Sequence, residues 1–197
     1  MNLDKATAIF TNYGVRLWKW SLQRYFHFDK WHIVSLRQRK YARDVISYCN
    51  QKSIRNSFLE IGCGLGDIVR NVKYAHKYAY DIDERVLKAA AFMNKINFGS
   101  KISFSIFHFP GSPLPNKYDV IVMVNWIHHI EPSILKSKIE EYFNQSLNEK
   151  GIIIIDTVQH PEYQFNHDIN YLVNSIKSTT DKLGDYDRNR EIWAIKK

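Results

Sequence analysis

Residues 58–67 read Phe58-Leu59-Glu60-Ile61-Gly62-Cys63-Gly64-Leu65-Gly66-Asp67. A short apolar run with one acid gives way to three glycines on alternate positions. Ile68-Val69-Arg70-Asn71-Val72 then follows in a helical pattern. The stretch is therefore a strand, a tight turn and a helix. Glycines suit that turn because they tolerate positive φ and let a ligand lie directly against backbone. Glu60 at the strand's end suits a ligand with an ammonium or another donor group. The spacing excludes two related loops. A dinucleotide fingerprint needs G-x-G-x-x-G; counted from Gly62 its third glycine falls on Asp67, and from Gly64 on Val69. A Walker loop needs Gly-Lys-Ser/Thr, which the chain lacks.

The pattern on either side of the loop alternates strand and helix. Strands are expected at Ser57–Ile61, Lys77–Ile82, Ile102–Phe107, Tyr118–Val124 and Gly151–Thr157, and helices at Asp67–Lys73, Glu84–Asn94 and Pro132–Gln145. Val120-Ile121-Val122-Met123-Val124 is apolar on both faces, as a central parallel strand covered by helices requires. A short helix is expected over about His167–Asn174. The tail reads as an antiparallel hairpin, Ser175–Lys182 with Arg190–Lys196, turning at Gly184-Asp185. The fold class is then α/β, a doubly wound parallel sheet. At 197 residues the chain forms one domain, residues 1–197, with no repeat or linker.

The net charge of +8 is unevenly placed. Residues 1–56 hold 11 Lys and Arg against 3 Asp and Glu, and the remainder holds 17 of each. A neutral core, residues 57–197, thus carries a basic extension. The extension is also aromatic. Phe10, Tyr13, Trp18, Trp20, Tyr25, Phe26 and Phe28 interleave with Arg16, Lys19 and Arg24. Residues 5–28 suit a helix packed over the core as a lid, an interfacial helix on an anionic membrane, or a stacking platform for nucleic acid. A second helix is expected over about Val34–Asn50, with Tyr41, Val45, Ile46 and Cys49 on one face and cations opposite. Trp31-His32 precede it in a loop. Two cysteines, Cys49 and Cys63, form neither a disulfide framework nor a metal pattern. No apolar run is long enough to span a bilayer, and no signal peptide is read, so a cytoplasmic setting is expected, with membrane-peripheral attachment as the variant.

Strand, then E-x-G-x-G-x-G, then helix resembles motif I of the class I S-adenosylmethionine-dependent methyltransferases. The likeness covers residues 57–197. Trp31-His32, Glu60–Gly64, Asn125-Trp126-Ile127-His128 and His167-Asp168 also resemble methyltransferases of bacterial surface-polysaccharide synthesis. The resemblance implies a Rossmann-like, seven-stranded, mostly parallel sheet with its last strand antiparallel and an N-terminal helical extension. It implies S-adenosyl-L-methionine as cofactor, with the acceptor chosen by the N-terminal segment and the late loops. Glu60, Gly62, Cys63, Gly64 and Gly66 would hold the cofactor's methionine end. Asp81, 21 residues past Glu60, stands where an acid meets ribose hydroxyls; a helix N-cap is its competing role. Ile82 would also bind the cofactor, and Phe107 and His108 would meet adenine, with His108 standing where the family often has an acid; core aromatics at a strand end are the competing reading of that pair. Asn125 would face the cofactor at the switch point.

The fourth strand runs into Asn125-Trp126-Ile127-His128-His129. Methyl transfer is an in-line displacement, so the enzyme's main task is to align the nucleophile. An alcohol must also lose its proton, and imidazole is a suitable base near neutral pH. The expected arrangement is His129 as base, oriented by Asp156, with His128 equally placed and His167-Asp168 on the same rim. In the competing reading both histidines only shape the loop. No carboxylate triplet stands in register with them, so no metal is expected. The acceptor is expected to be an oxygen, with nitrogen second, of a small molecule or sugar-containing glycan. The basic extension motivates an RNA or tRNA methyltransferase as the alternative. A non-enzymatic scaffold that kept the fold is the third reading, and the intact glycine loop argues against it.

Overall fold

In a computed structural model, residues 3–96, 101–111 and 113–197 are described, with side chains from Gly14 onward. The expected contributions of Phe10 and Tyr13 lie outside the described side chains. Helix α1 spans Leu3–Phe26 and α2 Lys40–Asn50. The core then alternates: β1 Ser57–Ile61, α3 Asp67–Asn71, β2 His76–Asp81, α4 Glu84–Ile96, β3 Ile102–Ile106, β4 Tyr118–Met123, α5 Pro132–Glu141, β5 Leu147–Val158, α6 Ile169–Val173, β6 Thr179–Tyr186 and β7 Arg190–Lys196.

Seven strands form one sheet in the order β3-β2-β1-β4-β5-β7-β6. The first five are parallel, and β7 enters antiparallel between β5 and β6. The order reverses between β1 and β4, where loops leaving the carboxyl ends open a crevice for ligands. Each of β1 and β4 is buried along its whole length, because helices cover both faces. On one face Ala42, Val45 and Cys49 of α2 and Ile68 and Val69 of α3 meet Phe58, Val120, Val122 and Ile154. On the other, Leu135 and Ile139 of α5 and Leu172 of α6 meet Leu59, Ile121, Ile153 and Ile155. A third cluster joins Leu22 of α1 and Phe28 to Val86, Ala89 and Met93 of α4.

Three expectations are corrected. The second helix starts at Lys40, not Val34; Leu36–Gln38 is an isolated 3-10 turn, and Arg39 leaves the helical region at φ −103°, ψ 81°. Trp31-His32 lie in a 3-10 turn, Lys30–Ile33, with His32 buried. The hairpin turns at Asp187-Arg188-Asn189 rather than at Gly184-Asp185. Arg188 and Asn189 take φ of 64° and 49°, whereas Gly184 sits inside β6 at a register shift after Lys182. A glycine in a strand marks a bulge as readily as a turn.

Candidate active site

The glycine loop closes on itself through backbone. Gly62 and Cys63 both donate N–H to Tyr80 O, and Gly66 donates to Cys63 O. Gly62, Gly64 and Gly66 all have positive φ. Gly66 is the N-cap of α3 and has no side chain to satisfy the helix's free N–H groups. Glu60 does so instead: its Oε2 accepts the Val69 N–H at 2.9 Å. Burial pushes the Glu60 carboxyl up to about 8, against the Val69 hydrogen bond and the nearby Arg39.

Asp81 at the tip of β2 reaches the same loop. Its Oδ2 accepts the Gly64 N–H at 2.8 Å and its Oδ1 accepts the Asp83 N–H at 3.0 Å. Asp83 accepts the Arg85 N–H and takes the N-terminal role at α4, which leaves Asp81 with the loop. Burial raises the Asp81 carboxyl, and those amides oppose the rise.

Glu60, Gly62, Cys63, Gly64 and Asn125 line one cavity, so the structure brings together five of the expected cofactor residues. Residues absent from the expected set also line it, among them Trp31, His32, Arg39, Tyr41, Asp67 and Trp126. The cavity holds about 40 Å³, whereas sites for drug-sized ligands hold about 300–1,000 Å³. Two side chains narrow it. Trp126 donates its indole N–H to Ile61 O at 2.7 Å and lies so close over Gly62 that a Cβ there would be 2.3 Å from the ring. The His32 ring stands 2.8 Å from a Cβ at Gly64, with Trp31 stacked on it. Burial lowers His32 to about 4, so it is neutral in this wall.

Asp67 follows the loop and is buried among cations. Lys19 of α1 lies 2.7 Å from its Oδ2, Arg70 lies 2.8 Å from its Oδ1, and Arg39 bonds Oδ2 as well. Burial would raise this carboxyl, but Lys19, Arg39 and Arg70 overcome it and hold it below the usual range. Nothing local in the sequence marks this cluster, because Lys19 and Arg39 read as surface cations.

Three more of the expected cofactor residues sit at the strand tips. Ile82 and His108 are exposed. Phe107 is buried and stacked on Tyr80 with ring centroids 5.5 Å apart, so its ring belongs to the core.

The expected His129–Asp156 pair is corrected. Asp156 is fully buried; its Oδ1 accepts the Asn125 N–H at 2.9 Å and its Oδ2 bonds Arg190. The β5–β7 pairing delivers Arg190 to that carboxylate, and the sequence places the two 34 residues apart. His129 is exposed, with its ring beside His128 at 4.3 Å between centroids. His128 is buried, with an unpartnered Nδ1 and its ring 4.2 Å from Tyr163. Burial, then His129, lowers His128 to about 4. His167 bonds Ile130 O through Nε2 at 2.9 Å, and Asp168 caps α6 by accepting the Asn170 N–H. No group of three His, Cys, Asp or Glu is placed to hold a metal ion among the described residues.

A second hollow of about 550 Å³ opens next to the first and shares Tyr41 and Asn125 with it. Tyr163, Tyr186, Asp185, Asp187, Arg188 and Arg190 form much of its wall. Tyr163 Oη accepts from Arg190 Nη2 at 3.3 Å and from Arg188 Nη1 at 3.4 Å.

Strand order and the loop at the switch point define the class: the chain has the fold of the class I S-adenosylmethionine-dependent methyltransferases. No family model and no curated protein match the sequence. Solved structures do match. The N-methyltransferase NodS from Bradyrhizobium japonicum, solved with S-adenosyl-L-homocysteine, superposes with a TM-score of 0.70 at 15% identity, over 89% of this chain and 96% of that one. Magnesium protoporphyrin IX methyltransferase from Synechocystis, solved with S-adenosylmethionine, gives 0.68 at 15% identity, over 91% of each chain. An amino pentose methyltransferase from Micromonospora echinaspora gives 0.63 at 8% identity, over 90% of this chain and 95% of that one. Identities this low speak for the fold.

Proposed function

We propose that the protein is an S-adenosylmethionine-dependent methyltransferase acting on an oxygen, or alternatively a nitrogen, of a small-molecule or sugar-containing acceptor. One observation carries the reading: a glycine-loop cavity and a larger polar hollow share Asn125 and Tyr41 as a common wall. A methyl donor and an acceptor need that adjacency. The residues fit the cofactor. Gly62 and Gly64 carry no Cβ, which lets the Trp126 and His32 rings lie directly over the loop backbone, and a ligand there would take the place of those rings. Glu60 faces the cavity, and Asp81 offers a carboxylate at the tip of β2 where ribose hydroxyls are met.

When bound, the cofactor supplies a methyl group on a sulfonium, which is a good leaving group. The chain's task is then alignment and proton removal. Asn125, at φ 70° and pinned by Asp156, fixes the turn between the two hollows. Tyr41, Tyr163 and Tyr186 give flat faces, and Asp185, Asp187 and Arg188 give hydroxyl- and amine-binding groups, a mixture suited to a sugar or amino sugar. The row Tyr163–His128–His129 leads from the hollow to solvent. His128, uncharged at neutral pH with an unpartnered Nδ1, is the imidazole that stands against Tyr163 in the wall of the hollow. An amino pentose and a methylated nitrogen among the structural neighbours agree with this acceptor class.

RNA gains no support as the acceptor. Several cations that motivated it are engaged within the fold: Lys19 and Arg39 with Asp67, Lys40 with Asp44, and Arg43 with the Leu36 and Arg37 carbonyls. Exposed aromatic and basic residues on more than one side of α1 and in the following turn are the ground for a peripheral contact with anionic phospholipid. Trp18, Trp20, Tyr25 and Trp31 stand there with Arg16, Arg24 and Lys30. Sedimentation with phosphatidylserine vesicles but not with phosphatidylcholine vesicles is the expected result; equal recovery with both would remove that contact.

The test of activity is transfer of radiolabelled methyl from S-adenosylmethionine to a panel of nucleotide sugars, amino sugars and tRNA. Label in a sugar is expected. Label in tRNA alone would overturn the acceptor reading.

A further inference from the structure

The cation cluster beside the glycine loop is out of balance. Lys19, Arg39 and Arg70 converge on the single carboxylate of Asp67. Lys19 is buried and Arg70 and Arg39 are partly so; holding positive charge out of water without a matching anion is costly, so the cluster gains from a second anion. Its three cations are not equivalent. Lys19 also donates to Val34 O at 3.2 Å, and Arg70 also bonds Leu65 O. Arg39 is the cation of the three that lines the cavity, beside Glu60, Gly62 and Asp67. Its Nε is buried and has no hydrogen-bond partner. A buried guanidinium N–H left without a partner, on a residue that lines a ligand cavity, is a donor that the protein does not itself satisfy.

The backbone explains how it gets there. Arg39 stands one residue before α2 with non-helical angles, φ −103° and ψ 81°. That break turns its side chain inward, away from the cationic outer face that the periodicity of Val34–Asn50 implied. A guanidinium offers N–H donors in a rigid fork, and its best match is a carboxylate.

We infer that Arg39 binds the α-carboxylate of the cofactor's methionine half, so that the N-terminal segment supplies the recognition of that group. The inference rests on the S-adenosylmethionine reading. The cofactor has one anionic group, on the amino-acid end, and that end belongs at the glycine loop. Glu60, on the same cavity wall, suits the neighbouring ammonium. The extension is then part of the cofactor site as well as a cover over it, and truncation before α2 removes a binding residue.

Two ligands that differ only in this carboxylate provide the test: S-adenosylmethionine and decarboxylated S-adenosylmethionine. Their affinities are measured by calorimetry on wild type, Arg39→Met and Arg39→Lys, with thermal melts to verify folding. Wild type is expected to prefer the intact cofactor by about 10- to 100-fold, as one charged hydrogen-bonded contact provides. Arg39→Met should erase that preference and leave the decarboxylated ligand's affinity unchanged. Arg39→Lys should keep part of it. Equal losses for both ligands in Arg39→Met would assign Arg39 a structural role and overturn the proposal. So would a preference that survives undiminished. Should Arg39→Met fail to fold, Arg39→Lys decides: an unchanged preference overturns the assignment. Wild type that binds neither ligand at millimolar concentration would contradict the methyltransferase reading itself; wild type that binds both equally would contradict only the role of Arg39.

Discussion

Lys19 of α1 lies 2.7 Å from Asp67, the residue that follows the last glycine of the loop. The contact ties the N-terminal helix to the turn that would hold the cofactor. Lys19 is 2% exposed, unusual for a lysine on a helix whose neighbours Trp18 and Trp20 face solvent. Because three cations share the single carboxylate of Asp67, the two partners are not equivalent to remove. Asp67→Asn should cost about 3–5 kcal/mol in urea unfolding, since it strands buried positive charge. Lys19→Met should cost clearly less, since Arg39 and Arg70 still compensate Asp67. Equal costs would show that the cluster does not work as described.

On the proposed reading, Glu60 should make cofactor binding pH-dependent. Its folded value of about 8 lies above the ordinary carboxylate value. A raised carboxyl is protonated in the folded protein while it is ionised in the unfolded chain. Stability therefore falls as pH rises from the unfolded value toward about 8. A ligand ammonium beside Glu60 reverses the preference and expels its proton. Calorimetry near pH 7, in two buffers of different ionisation enthalpy, should show proton release on binding S-adenosylhomocysteine. Arg39, Arg70 and Asp67 share this field, so Glu60→Gln is the control. Proton release that persists in Glu60→Gln would place its source elsewhere.

Gly62 and Trp126 are coupled by contact. An alanine at Gly62 meets the indole at 2.3 Å and must also hold φ of 73°. Overpacking of this kind costs about 1–3 kcal/mol, and left-handed strain about 1–2 kcal/mol more. Gly62→Ala should lower the melting temperature, and Trp126→Ala in the same chain should restore the steric share. The cavity beneath Trp126 is only about 40 Å³, so ligand entry requires the ring to move. Ligand binding should change tryptophan fluorescence in wild type and change it less in Trp126→Phe.

Asp156 and His129 separate two roles that the sequence had joined. Asp156→Asn leaves buried Arg190 without its anion and should cost about 3–5 kcal/mol. His129→Ala should leave stability within about 0.5 kcal/mol, because the side chain is exposed. With an acceptor in hand, His128→Gln should lower turnover more than His129→Ala, since His128 touches Tyr163 in the wall of the hollow. A larger loss in His129→Ala would return the base role to His129.

What could be read from the chain divides along sequence distance. Glu60, the three glycines and the helix after them are local: one strand, one turn, one helix within about fifteen residues, each with its own residue signature. The place of Asp81 against the glycine loop was legible because strand tips in a parallel sheet converge on one edge. The β6–β7 turn was misread because Gly184 signals a bulge and a turn equally well. Asp156 was assigned the wrong partner because Arg190 reaches it only through antiparallel pairing of the last strand with β5. Lys19 and Arg39 were invisible as site residues: a cation's burial is decided by tertiary contacts, and charge counting treats both as surface. Trp126 over Gly62 belongs to the same kind, two loops meeting across the sheet's switch point.

The most direct test of the central reading is equilibrium binding of S-adenosylhomocysteine to the 197-residue chain by calorimetry, with Asp81→Asn beside it. One site per chain is expected, with a dissociation constant on the order of micromolar, and Asp81→Asn should weaken it about tenfold or more, as loss of a charged hydrogen-bond acceptor does. No heat and no rise in melting temperature at millimolar ligand would contradict the account.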